Sequence, residues 1–361
     1  MKIFLNQLTT EEKQQLKRWF ILLLFLSGIV IFILPFIFTL TTPFKAFDYS
    51  NTGNIGSTIN GISSPFLAVL GIIVTFLAFY IQVKANDVQR KINEKQREDI
   101  KLERFENKFY ELLRLHKENV NEISIDGYDG KKIVRRKAFV SMYKELRYTF
   151  FVTKQEYDKL RKSKTLQTEY KDVQLLKLAY IFFYTGVGVH SDKISKAMIG
   201  QEFDNTLYST VRDELNNIER QHKSNSNNMM WRELEIEGIG KSKLPYSYRP
   251  FQGHMSRFGH YYRHLFQTVK FVVKQDKELI NDENKLEYLR TLRAQLSDNE
   301  QVMLYYNAVV DFGGAWITNK YFTDYKMIHN IPLPLADFGI TPVVKFEKEL
   351  KAGMGLFEWL E

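Results

Sequence analysis

Two uncharged apolar runs near the start of the chain constrain its fold more than any other feature. "FILLLFLSGIVIFILPFIFTL" (Phe20 to Leu40) and "ISSPFLAVLGIIVTFLAFYIQV" (Ile62 to Val83) carry no charged side chain. Each exceeds the roughly 18 apolar residues that a bilayer crossing needs. A cleavable signal would have a shorter apolar core and a clear small-residue cleavage site, which the first run lacks. Lys13, Lys17 and Arg18 precede the first run, and Lys84, Arg90, Lys91, Lys95 and Arg97 follow the second. Between the runs only Lys45 is basic. The positive-inside rule then predicts a two-helix transmembrane hairpin (about 20–40 and 62–83), with about 20 residues outside and both termini cytoplasmic.

Within the second run Ser64, Ala68, Gly71, Thr75 and Ala78 recur at intervals of four and three, so they form one small-residue stripe on a helix. Such stripes let backbones approach closely in lipid. The stripe packs against the first span or against another copy of the chain, which would make the protein a homo-oligomer. Pro35 is placed to kink the first span.

The remaining chain is long and polar enough for a folded domain. The whole chain has 361 residues, of which 44% are hydrophobic and 26% charged. A formal net charge of +9 points to an acidic partner, either nucleic acid or anionic lipid. Cysteine is absent, which excludes disulfides, thiolate catalysis and Cys-based zinc sites.

Three regions are expected: a membrane anchor over 1–83, a charged connecting helix over 84–122, and a helical cytoplasmic domain over 123–361. No Gly or Pro interrupts Lys84 to Ile123. Phe105, Phe109, Leu112, Leu113, Val120 and Ile123 share a face there, so the end of this helix should dock on the domain. Further helical patterns run roughly Ala138–Phe151, Lys154–Lys162, Thr168–Tyr184 and Ser195–Gln221, and resume near Arg257. "SIDGYDGKK" reads as a loop, and "GKKIVRRK" as a solvated basic run. No alternating strand pattern is visible, so the fold class is all-α.

The stretch "FQGHMSRFGHYYRHLFQTVKFVVK" (Phe251 to Lys274) concentrates histidine and arginine among aromatics. At 100° per residue, Tyr262, Leu265, Phe266, Val269, Val272 and Val273 fall on one side, with Tyr261 at its border. Arg257, His260, Arg263, His264, Gln267, Lys270 and Lys274 fall on the other, with His254 just before the helix. This polar side is either a solvated basic face or one wall of a groove for an anion. Histidine changes charge near neutral pH, and an Arg with a His could hold a phosphate and move a proton. His260, Arg263, His264 and Arg257 are therefore candidate catalytic residues. The HEPN ribonucleases use Arg followed after four to six residues by His on a helix. Arg257 with His264 satisfies that spacing, and so does Arg249 with His254, though Pro250 and Gly253 oppose a helix there. RNA or a nucleotide is the corresponding ligand.

Other candidates surround this helix. Ser297 and Glu300 form a capping box that starts a helix after Leu296. Arg293 shares a face with Leu286, Leu289 and Leu296, so it should be partly buried and need an anionic partner: Glu300, Glu106, or a bound phosphate. His116 falls inside the apolar face of Phe105, Phe109, Leu112 and Val120, where a hydrogen-bonded core histidine is expected. No HExxH, paired-Asp or Walker motif is present. His260 and His264 are four apart, but flanking arginines and the lack of a carboxylate oppose zinc, so no metal and no cofactor are expected.

Three stretches in order, "FENKFYELLRLHKENV", "FQGHMSRFGHYYRHLFQTVKF" and "LRAQLSDNEQVMLYYNAV", resemble the phage abortive infection proteins (AbiC-like). They cover about 105–309. The resemblance implies a bacterial inner-membrane protein that defends against phage by halting or killing the infected cell, answering a phage trigger. His260, Tyr261, Arg263, Arg293, Gln295 and Asn307 stand at motif positions, and Phe258 and Tyr262 depart mildly from the pattern. Glu106, His116, His254, Arg293, Gln295, Glu300 and Asn307 are the candidate ligand-binding set.

Overall fold

The computed structural model describes residues 10–33, 36, 55–128, 130–224, 233–236, 240–243 and 247–360. They are mostly helical and divide into two compact units, Met1–Lys101 and Leu102–Glu361.

In the first unit, α1 (Thr10–Gly28) continues into a π-helical turn at Ile29–Ile33. Pro35, Lys45 and most of the expected outward loop lie outside the described residues. α2 (Ile55–Glu122) is a single helix of 68 residues. The described residues thus show one helix long and apolar enough to cross a membrane. Residues 34–35 and 37–40 of the first expected span lie outside them, and the two-helix hairpin is not shown. Only 6% of its most apolar window is buried, and Ile72, Phe76 and Phe79 stand exposed. The small-residue stripe is exposed too, and Thr75 returns its hydroxyl to the Gly71 carbonyl at 2.8 Å. No helix break separates the apolar run from the charged stretch after Lys84.

In the second unit, the end of α2 leads into a short antiparallel hairpin, β1 (Ser124–Asp126) with β2 (Lys132–Val134), in the register Ile125 opposite Ile133. A second hairpin pairs β3 (Glu233–Ile236) with β4 (Gly240–Lys243). Both correct the expectation of a domain without strands. Strands of three or four residues are too short to display a clear period-two pattern.

α3 (Arg136–Lys162) is the central helix, packed by α4 (Asp172–Thr185), α6 (Asn205–Ser224) and α9 (Asp298–Val309). It joins two helices expected to be separate. α5 (Val189–Ile199) and α6, expected as one helix, are parted at Gly200, whose φ is +58°. α7 (Met255–Val273) and α8 (Asp282–Arg293) pack on each other. α10 (Ala315–Thr318), α11 (Pro342–Lys345) and α12 (Glu347–Lys351) close the chain as short turns of helix.

The core is aromatic. Tyr306 stacks on Phe338 at 4.2 Å between ring centres, and Trp316 faces Phe266, Tyr321 and Phe322. Phe105 of α2 stacks on Phe271 of α7 at 5.2 Å and meets Tyr288 of α8 edge-on at 5.0 Å. The end of α2 therefore docks on the second unit's helices as its apolar face requires.

Candidate functional site

α7 is aimed by two glycines pressed back to back. Gly186 (φ +86°) ends α4 and Gly253 (φ +83°) precedes α7. A Cβ on Gly253 would lie 2.5 Å from the Thr185 carbonyl carbon, and one on Gly186 would lie 2.7 Å from that of Gln252. Only glycine permits both this approach and these dihedrals. The contact is sealed by His254 N–H donating to Tyr184 O at 2.9 Å and Val187 N–H to Phe251 O at 3.1 Å.

His254 consequently sits inside, 2% exposed, rather than at the lip of a groove. Its Nε2 lies 3.2 Å from Glu145 Oε1, off the line of a hydrogen bond. Glu145 is fully buried and accepts from the Tyr248 hydroxyl at 2.6 Å and from Phe251 N–H at 2.9 Å. Arg257 is also committed. Its Nε donates to Ser124 O at 2.7 Å and its Nη1 to Gly253 O at 3.0 Å, tying α7 to β1. These two groups brace the fold.

A second cluster forms where α7 meets α2. His116 of α2 is 1% exposed, and His264 of α7 is part-buried with its ring 6.3 Å from that of His116 and nearly parallel to it. All four imidazole nitrogens are enclosed and none has a protein hydrogen-bond partner. The expected hydrogen-bonded core histidine is thus buried but unpaired. Burial, then the neighbouring His264 and Arg136, push His116 down to about 4, and burial also lowers His264. Both rings are held neutral near pH 7.

The Tyr261 ring lies 5.3 Å from His116, and its hydroxyl donates to Glu300 Oε1 at 3.0 Å. Burial and Glu300 raise the Tyr261 hydroxyl well above the ordinary tyrosine range, so it stays a donor. Glu300 also accepts from the Ser297 N–H at 2.8 Å, which is the expected capping box, and Arg136 Nε stands 3.5 Å away. Arg136 in turn donates to the Gln295 carbonyl at 2.7 Å. His116, Tyr261, His264, Glu300 and the Gln295 backbone thus gather around one junction of α2, α3, α7 and α9.

The other candidates lie elsewhere. His260 and Arg263 are exposed. Arg293 is 9% exposed, yet neither Glu300 nor Glu106 pairs with it. Its Nη1 donates to Lys326 O at 2.7 Å, and burial lowers its proton affinity. Of the residues sharing its predicted face, Leu289 and Leu296 are buried but Leu286 is 39% exposed. Glu106 accepts from the Tyr288 hydroxyl at 2.7 Å, and Asn307 donates to the Tyr180 hydroxyl at 2.8 Å. No group of three metal-ligating side chains occurs among the described residues.

Sequence reasoning passed over Arg136, Glu145 and Tyr248. Arg136 was hidden in a run that reads as solvated, and Glu145 and Tyr248 stand more than a hundred residues apart. A buried carboxyl opposite an inward histidine leaves no local signal, although Glu145 does fall on the apolar face of α3 with Phe139 and Met142.

Residues 253–334 match the family model described as "Putative phage abortive infection protein". The stretch is similar to that family. It takes in all of α7, α8, α9 and α10, so the likeness read from "GHMSRFGHYYRH" and "LRAQLSDNEQVM" is borne out for this part of the chain. No curated protein and no solved structure matches the chain.

Proposed function

We propose that the chain is a membrane-associated protein of phage abortive infection, anchored by the apolar runs and acting through the helical unit from Leu102 onward. The observation that carries this reading is the uncovered apolar length of α2, within a chain whose residues 253–334 match an abortive infection family. An apolar window left exposed in water would cost far more than the fold could recover, and a bilayer removes that cost. The exposed small-residue stripe supports close association between copies in lipid, and a phage-borne or nucleotide signal is the input expected for such a device. The ribonuclease reading gains no support from the geometry, because Arg257 is spent on two carbonyls and the His264 nitrogens are enclosed.

The test is direct. The full chain, expressed in bacteria, should remain in the membrane fraction after an alkaline wash. On challenge with a panel of phages at high multiplicity, it should reduce phage yield while the infected culture stops growing. The double variant Ile72→Lys, Phe76→Lys should lose both properties. A chain that washes into the soluble fraction, or phage yields equal to those of the empty host across the panel, would overturn the proposal.

A further inference from the structure

The His116/His264 pair takes part in no hydrogen bond, yet it sits where α2 meets α7. The groups facing it come from four helices. His116 lies on α2 and His264 on α7 with Tyr261; Arg136 comes from α3 and Glu300 from α9. Glu300 is the sole carboxyl of the set. It already accepts from Tyr261 and from the Ser297 backbone and hydroxyl, and Arg136 stands beside it. A proton arriving on His116 therefore meets the other imidazole and the Arg136 guanidinium, and among the described residues no carboxylate pairs with either ring.

We infer that the two histidines form an acid-release latch: neutral, they let the end of α2 lie against α7, and protonated, they force that contact open. The chemical input is the proton itself. Biological use of the latch rests on the reading of the chain as a membrane-associated defence protein, since a breached membrane acidifies the cell interior. The protonation does not depend on that reading.

The sign follows from linkage. In the closed state His116 binds a proton only at about 4 and His264 below the ordinary histidine value, whereas in the open state both bind them near 6.5. The open state thus takes up more protons throughout the window from 6.5 down to about 4. Closure is complete above that window and weakens as pH falls through it. Each proton taken up on opening favours the open state about tenfold per pH unit.

Hydrogen exchange followed by mass spectrometry on the full chain in detergent reads the opening locally. After correction for intrinsic rates, amides of 105–122 and 255–273 should lose protection at least tenfold between pH 7.5 and 5.5. Amides at the α3–α4 contact should not. The variant His116→Phe, His264→Phe keeps two aromatic rings at the junction and should remove that pH dependence. Arg136→Gln removes one repelling charge, raises the closed-state His116 value and should therefore make the total loss of protection smaller. Carbon-13 labelled histidine spectra provide a measurement that needs no variant. A His116 resonance that titrates near 6.5 in the folded chain would overturn the inference. So would an unchanged pH dependence in the double Phe variant. If these results hold while phage protection fails, the defence reading falls and the latch stands.

Discussion

The Tyr261 hydroxyl donates to Glu300 Oε1 at 3.0 Å, joining the middle of α7 to the first turn of α9. Glu300 is thereby asked to do two things at once, capping its own helix through Ser297 and anchoring the aromatic that faces His116. Its side chain is fully buried, so every donor withdrawn from it is felt.

Tyr261→Phe should cost about 1–3 kcal/mol, since it deletes a donor to a buried acceptor without changing the ring packing. Glu300→Ala should cost more, about 2–4 kcal/mol, because it removes the capping box and also leaves the buried Tyr261 hydroxyl without its acceptor. Chemical denaturation of the full chain in detergent checks both. Equal, negligible losses would show that this junction does not hold α7 and α9 together.

The paired glycines predict a sharper contrast. Gly253→Ala places a methyl 2.5 Å from the Thr185 carbonyl carbon in a left-handed conformation, with backbone on the opposing side that cannot swing away. About 3–5 kcal/mol is expected from strain and overpacking together. Gly130→Ala has a similar φ of +74° but meets nothing within 4 Å. It should cost only about 1 kcal/mol. Thermal unfolding of the two variants side by side decides this, and a matched loss would mean that dihedral strain, not the close approach, dominates at Gly253.

Arg257→Met separates bracing from anion binding. The guanidinium ties α7 to the Ser124 carbonyl at the entrance of the β1–β2 hairpin. Its loss should lower stability by about 2–3 kcal/mol, the sum of two charge-assisted bonds less the retained aliphatic packing. It should leave the affinity for RNA, measured by fluorescence anisotropy, unchanged. A variant of normal stability but weakened RNA binding would restore the groove reading.

What could be read in advance, and what could not, divides along chain distance. The Ser297/Glu300 cap and the apolar side of α7 are local patterns of three to four residues, and both appear as the sequence indicates. The same wheel places His264 and Arg257 on a polar side, but it assumes one buried wall. α7 has two: α2 covers His264 through His116, and β1 receives Arg257. The burial of His254 against Glu145 joins positions 109 residues apart in the chain, and no periodicity reports such a pairing. The short hairpins escape notice for the opposite reason, being too brief for any period to be counted.

The stripe on α2 yields the last prediction. A Cβ added at Gly71 meets nothing within 4 Å, and Ala78 is exposed, so larger side chains there disturb no contact within the described residues. Gly71→Leu with Ala78→Leu keeps the helix apolar and, by propensity, strengthens it at Gly71. Anchoring should therefore persist, and the stability of the Leu102–Glu361 unit should be unchanged. What the added bulk does oppose is the close backbone approach that a small-residue stripe allows between helices in lipid. Light scattering in detergent should give a multiple of the chain mass for the parent protein and a single chain for the variant, and phage protection should fall with the loss of assembly. A variant of unchanged mass that still protects the host would remove the stripe from the mechanism. One of unchanged mass that fails to protect would point instead to packing against α1.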